Sequence, residues 1–260
     1  RDMSRPHSYK VEAVVLRRSR FGEADLRLTL FTPSHGKLSA IARAAARPQS
    51  KLGGHLDLLT RSSLLLAQPR YGGADVVAQA HTIHSFLPLR RSLEGIGHGL
   101  YMADLVDRFL PEKLEQSPVY YLLLHALHRL VEGDGEAAVR HFEVLLLGLL
   151  GYSPELHHCL GCNLGLLSAP AFFAPARGGL VCSRCRSQEA VARPVSPGCL
   201  QVLRRLTETE LGAAPQLSAE VADELRGLLR SYITYLLEGD MASARFLDSV
   251  RQPPVKSALP

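Results

Sequence analysis

The chain has 260 residues, 46% hydrophobic and 21% charged, proportions that supply a buried core and exclude a disordered or collagen-like polymer. Its longest stretch without Asp, Glu, Lys or Arg, Leu156 to Ala176, contains two His, two Cys and two Pro and makes a poor membrane span. The net charge of +5 is uneven: residues 1–84 hold 13 Lys or Arg against 6 Asp or Glu, and residues 85–260 hold 17 against 19, so a polyanion or a merely solvated face belongs to the N-terminal third.

No apolar run follows Arg1 to Pro6, so no secretory leader is expected. The five cysteines are then expected in the reducing cytoplasm, where paired thiols point to metal more than to disulfides. Val11 to Leu16 reads as a first strand. Leu26, Leu28 and Leu30 alternate with Arg27 and Thr29, the period of a sheet with one buried and one wet face. The turn Pro33-Ser34-His35-Gly36 leads into Leu38 to Ala42. Leu56 to Ala67 and Asp75 to Ile83, separated by Pro69-Arg70-Tyr71-Gly72-Gly73, complete a count of five. Five strands in about 80 residues leave no room for crossover helices and predict a small antiparallel barrel, the five-stranded OB-fold or an SH3-like barrel.

From Ser92 the period becomes helical, with Leu93, Ile96, Leu100, Leu105 and Phe109 in one stripe. Ser117-Pro118 is an N-cap with proline at the first helical position, ahead of Leu122, Leu123, Leu127 and Leu130. Ala137 to Leu150 carries Val139, Phe142, Leu145, Leu146 and Leu149, with Gly151 as its C-terminal cap. Ser218 opens a last helix with Val221, Leu225, Leu228, Leu229, Tyr232 and Leu236, ended by Gly239. The expected fold is therefore α+β: a basic barrel over 1–84, a helical bundle over 85–152, an irregular loop over 153–197, helices over 198–250 that complete the bundle, and a tail over 251–260.

Four cysteines lie in that loop as Cys159-x-x-Cys162 and Cys182-x-x-Cys185, with 19 residues between the pairs. This is the spacing of a four-thiolate zinc site, in which each pair sits on a tight turn and aims both sulfurs at one centre. A four-thiolate shell leaves no position for water or substrate, so the one zinc expected is structural; an iron–sulfur cluster fits the same spacing. His157 and His158 are expected on the loop surface, and Cys199 as a semi-buried thiol outside the metal set. Gly36-Lys37 lacks the earlier glycine of a phosphate loop, and Gly95-Ile96-Gly97-His98-Gly99 lies within a helical stripe, where small residues serve close packing. His81 and His84 have no nearby cysteine or carboxylate to complete a ligand set. No catalytic centre is legible, and no enzyme is expected.

Glu12 to Leu16, the turn Gly22-Glu23-Ala24-Asp25 leading into Leu28 to Thr32, Gly36-Lys37-Leu38, the stretch Ala42 to Arg47 with Ser50-Lys51-Leu52, and the paired cysteines occur in an order that resembles the bacterial recombination-mediator family RecO. Where that family carries a more basic loop after the third strand, this chain reads Arg43-Ala44-Ala45-Ala46-Arg47. The resemblance implies a non-enzymatic protein of DNA repair and recombination, cytoplasmic and nucleoid-associated, with no membrane partner. It implies binding to single- and double-stranded DNA, annealing of complementary strands, and assistance with RecR in loading RecA onto strands covered by single-strand-binding protein. The tail of that protein is expected on the helical part, near Arg129 or Arg140. Arg17, Arg18, Arg20, Arg27, Lys37, Arg43, Arg47 and Lys51 are the expected phosphate contacts, and Tyr9, Phe21, Phe31 and Tyr71 are the few aromatics in reach. The alternative is a zinc-ribbon interaction scaffold whose basic barrel keeps it soluble; binding of a labelled oligonucleotide separates the two.

Overall fold

A computed structural model of the chain describes residues 7–69, 72–166, 170–209 and 217–251. Arg70, Tyr71 and the tail beyond Arg251 lie outside them. The described residues form two compact units, one of residues up to Val131 together with those from Arg245, the other spanning Glu132–Ala244.

The first unit is built on five strands, β1 (Ser8–Phe21), β2 (Asp25–Thr32), β3 (Gly36–Ala42), β4 (Arg61–Ala67) and β5 (Asp75–His84), closed in the order β1-β2-β3-β5-β4. That order, with β1 also pairing β4 and a short parallel seam between β3 and β5 at Ala40↔Asp75 and Ile41↔Val76, is the OB arrangement. Leu26, Leu28 and Leu30 point inward with Val11, Ala13, Val15, Leu38, Leu64 and Leu66. β1 is longer than its apolar run: its first half pairs β4, its second half pairs β2, and the register shifts between Val15 and Arg17. Leu56 to Thr60 is a short 3₁₀ turn (Gly53–Leu56) and connection instead of the start of β4.

Two helices belong to the same unit, α1 (Leu93–Phe109) and α2 (Ser117–Glu132, save its last residue). Ser92 caps α1 by accepting from the Gly95 N–H at 2.9 Å. α1 packs on β1, and Phe31 of β2 meets Tyr120 of α2 edge to face, with ring centroids 5.7 Å apart. The glycines of the 95–99 run serve close contact: a Cβ at Gly97 would lie 2.8 Å from Leu247, and one at Gly99 2.5 Å from Leu59. Leu247 stands on α6 (Ala242–Arg251), a short helix that the stripe over 218–239 did not announce.

In the second unit α3 (Gly135–Leu149), α4 (Pro197–Glu208) and α5 (Ala219–Leu236) pack on one another around Phe142, Leu203 and Leu229. Gly151 caps α3 with φ +81° and places the Tyr152 N–H on the Leu147 carbonyl at 2.8 Å. At the end of α5 the left-handed residue is Glu238, φ +51°, in place of the glycine after it. The single bundle expected from the helical stripes thus divides by contact into α1 and α2 with the barrel and α3 to α5 in the second unit. Between α3 and α4 three short strands, β6 (Ala171–Ala174), β7 (Gly179–Cys182) and β8 (Arg193–Val195), form a sheet ordered β7-β6-β8.

Candidate metal centre and nucleic-acid interface

The two cysteine pairs arrive from opposite sides of one small module. Leu160 donates its N–H to the Leu180 carbonyl at 2.9 Å, which fixes the first pair beside β7, while Cys182 ends β7 itself. Asn163, with φ +58°, donates to the Cys159 carbonyl at 2.7 Å and closes the turn. Glycine is required twice. A Cβ at Gly161 would lie 2.8 Å from the Cys185 sulfur, and one at Gly179 2.6 Å from the Glu155 carbonyl oxygen. The outcome is a group of four sulfurs, Cys159, Cys162, Cys182 and Cys185, all within 4.8 Å of one another.

Four thiols this close cannot all ionise without a cation between them. Burial pushes the Cys159 thiol up, but the N–H groups of Cys182, Gly161 and Cys162 outweigh it and hold it down at about 6. The Cys182 thiol is likewise lowered, first by the Cys185 N–H. Cys185, hydrogen-bonded to Cys182 and buried beside the other sulfurs, is pushed up to about 12. The donor set fits a tetrahedral metal: a metal–sulfur bond of about 2.3 Å places sulfurs about 3.8 Å apart, and Cys162 and Cys182 stand 3.8 Å apart. His157 and His158 lie outside the cluster, exposed as expected, and their N–H groups hold the Glu155 carboxyl at 2.7 and 2.9 Å. Cys199 is fully buried in α4, and burial raises its thiol to about 12.

The expected phosphate contacts separate into two classes. Lys37 is buried, only 8% exposed, and its ammonium bonds the Asp107 carboxylate at 2.9 Å and the Asp107 carbonyl, so it is a structural cation and not a surface one. Arg17 is exposed but engaged by Asp104 at 2.9 Å and Asp107 at 2.5 Å. Arg18 shares Asp57 with Arg90, at 2.5 and 3.2 Å. Arg20, Arg43, Arg47 and Lys51 are exposed and carry no ion pair among the described residues. Arg27 is exposed and stacks its guanidinium over Phe21, 4.6 Å from the ring centroid.

The bulge in β1 explains part of this division. Beyond it Arg17 and Ser19 pair with Thr29 and Arg27 on the outer face, while Arg18 and Arg20 pair with Leu28 and Leu26 on the inner one. Arg18 and Arg20 therefore line a shallow cleft at the mouth of the barrel with Leu26, Ala46 and Leu58. The loop after β3 is strapped over that mouth: Asp25 accepts from the Ala44 N–H at 2.8 Å, and the Ala46 N–H reaches the Ala24 carbonyl at 2.8 Å. Ala45 is buried in the barrel core, so the alanine run closes the barrel and leaves Arg43 and Arg47 outside. Lys51 continues this surface into a cleft of about 740 Å³ shared with His55, Gln79 and His81.

The closed barrel with exposed cations about its mouth and the four-sulfur module set among helices define an OB-fold protein with a metal-competent cysteine cluster. Comparison with known families matches residues 3–86 to "Recombination protein O N terminal" and residues 90–245 to "Recombination protein O C terminal". A DNA repair protein RecO from Pelotomaculum thermopropionicum is 38% identical over 251 residues, 96% of this chain and 97% of that one. Those of Dehalococcoides mccartyi strain CBDB1 and Roseiflexus sp. strain RS-1 are 34% and 37% identical, covering 96% and 95% of this chain and 98% and 88% of theirs. The chain belongs to the RecO family of DNA repair and recombination proteins.

Proposed function

We propose that the chain is a non-enzymatic recombination mediator that binds single- and double-stranded DNA in the cytoplasm through the mouth of its barrel and anneals complementary strands. The observation that carries this reading is the group of exposed cations without carboxylate partners among the described residues, Arg20, Arg43, Arg47 and Lys51, together with Arg27. Phosphates replace the missing carboxylates, and because they carry no sequence information the binding is sequence-tolerant. A surface that neutralises two backbones lowers their mutual repulsion while leaving the pairing edges of the bases free.

Zinc is the metal assigned to the four cysteines, each a thiolate ligand; its chemistry is that of a structural crosslink. The proposed partners are RecR and the acidic, apolar tail of single-strand-binding protein, acting together to load RecA. Arg129 and Arg140 do not serve the tail: both are buried, and Arg140 is held by Glu136 at 3.1 Å and Glu143 at 2.7 Å.

The test is titration of labelled oligonucleotides of unrelated sequence at two salt concentrations. Affinity falls with salt, by a slope of about −0.7 per single-strand phosphate contact. Arg43→Glu and Arg47→Glu weaken all sequences alike. A wild-type chain with no affinity at low salt refutes the reading and leaves the interaction scaffold.

A further inference from the structure

The outer face of β1, β2 and β3, where an OB barrel ordinarily offers side chains to nucleic acid, is largely covered here. Phe31 is fully buried against Tyr120, Lys37 is held by Asp107, and a Cβ at Gly36 would lie 2.0 Å from the Leu114 carbonyl oxygen of the connection between α1 and α2. One end of the face stays open. There Phe21 pairs with Asp25, Ser19 with Arg27, and Arg27 with Ile41, so Phe21 and Arg27 are diagonal neighbours on the exposed side.

The aromatic residues of the barrel have unlike surroundings. Phe31 is inaccessible, and Tyr9 donates its hydroxyl to Asp75 with its ring between His7 and His35. Phe21 is 41% exposed, held in a strand, and has the Arg27 guanidinium 4.6 Å from its centroid. A single exposed apolar side chain needs no special explanation. This one combines a strand backbone, a stacked arginine and a position directly opposite Asp25, the residue that ties down the loop of Arg43 through the Ala44 N–H.

We propose that Phe21, with Arg27 stacked on it, is a base-stacking platform that selects unpaired nucleotides over duplex at the barrel mouth. The inference rests on the DNA-binding reading above. An aromatic ring or a guanidinium plane takes the face of any base, which makes the contact sequence-tolerant. Bases in a duplex have both faces occupied by their neighbours and have none to offer. Because the platform takes a face, the hydrogen-bonding edge remains free to meet a complementary strand.

The experiment uses the full chain, which contains no tryptophan. Phe21→Trp therefore places one indole at the platform. Oligothymidylate is expected to quench its emission as it binds, whereas an abasic oligomer of equal length binds without quenching. Phe21→Ala is expected to weaken oligothymidylate by on the order of ten-fold, with the salt slope unchanged and the duplex affinity unaffected, and Phe21→Tyr to restore binding. Indole emission that does not move at saturation, as judged from the anisotropy of a labelled oligothymidylate, overturns the proposal. So does a Phe21→Ala chain that binds single strands like wild type, or one that loses single and double strands equally. If the wild-type chain itself binds no DNA at low salt, the functional reading and this inference fall together; wild-type binding without a Phe21 effect removes the platform alone.

Discussion

Lys37 and Arg43 are cations six residues apart with opposite duties. Lys37 is enclosed with Asp107, and removing its ammonium strips the Asp107 carbonyl and one carboxylate oxygen of a buried donor, leaving the carboxylate to the exposed Arg17. Lys37→Met is expected to lower unfolding stability by about 2 kcal/mol, measured by denaturant titration, with no change in the salt slope for DNA. Arg43→Glu is expected to leave stability within about 0.5 kcal/mol and to flatten that slope. Glu12 adds a pH signature. Burial raises its carboxyl, but hydrogen bonds from Arg61 at 2.7 Å and Tyr120 at 2.6 Å outweigh it and hold it below the usual carboxylate range. A carboxylate depressed in the folded state contributes stability that is full above its unfolded value and is lost as pH falls through the folded one. Glu12→Gln is therefore expected to flatten the acid limb of the stability curve below about pH 4.5, while wild type and variant run parallel above it. The alternation at Leu26, Leu28 and Leu30 made the outward side of Arg27 legible in sequence. The burial of Lys37 was not, since the carboxylate that claims it lies 70 residues on.

At the scale of the element, the cysteine module was the most legible part of the site because its spacing is local: two short turns, each holding two sulfurs. Its strands were not, for β6 and β7 have four residues each and β8 three, too few to establish a period. The bulge in β1 was also silent, since it falls between Val15 and Arg17 and exchanges the faces taken by the arginines after it without any mark in composition. α4 is marked by the cap Ser196-Pro197 and the spacing of Leu200, Leu203 and Leu206, within the helices expected over 198–250. Metal removal by a chelator is expected to unfold the module and to leave the barrel's strand signal intact, followed by hydrogen exchange resolved along the chain. Gly161→Ala presses a methyl group against Cys185 and is expected to lower zinc retention, measured as metal released to a competing chelator, without altering oligonucleotide affinity.

For the molecule as a whole, the count of five strands led to a small barrel, OB or SH3-like, whereas membership of the helices was not legible, because an apolar stripe states that a helix is covered and not by what. A fragment ending at His84 strips Val14 and Phe31, a directly paired and fully buried couple on the outer face of the sheet, of the helices that cover them. It is expected to aggregate. Residues 1–131 joined to 245–251 by a flexible linker are expected to fold and to retain oligonucleotide affinity. The same feature bears on how the protein is made. Leu247 fills the notch left by Gly97, yet it is translated 150 residues later, after every residue of the second unit. On the ribosome the barrel unit thus waits, with its α1 notch open, until the cysteine module and its helices have emerged, and a stop codon before position 245 would damage a unit translated long before it.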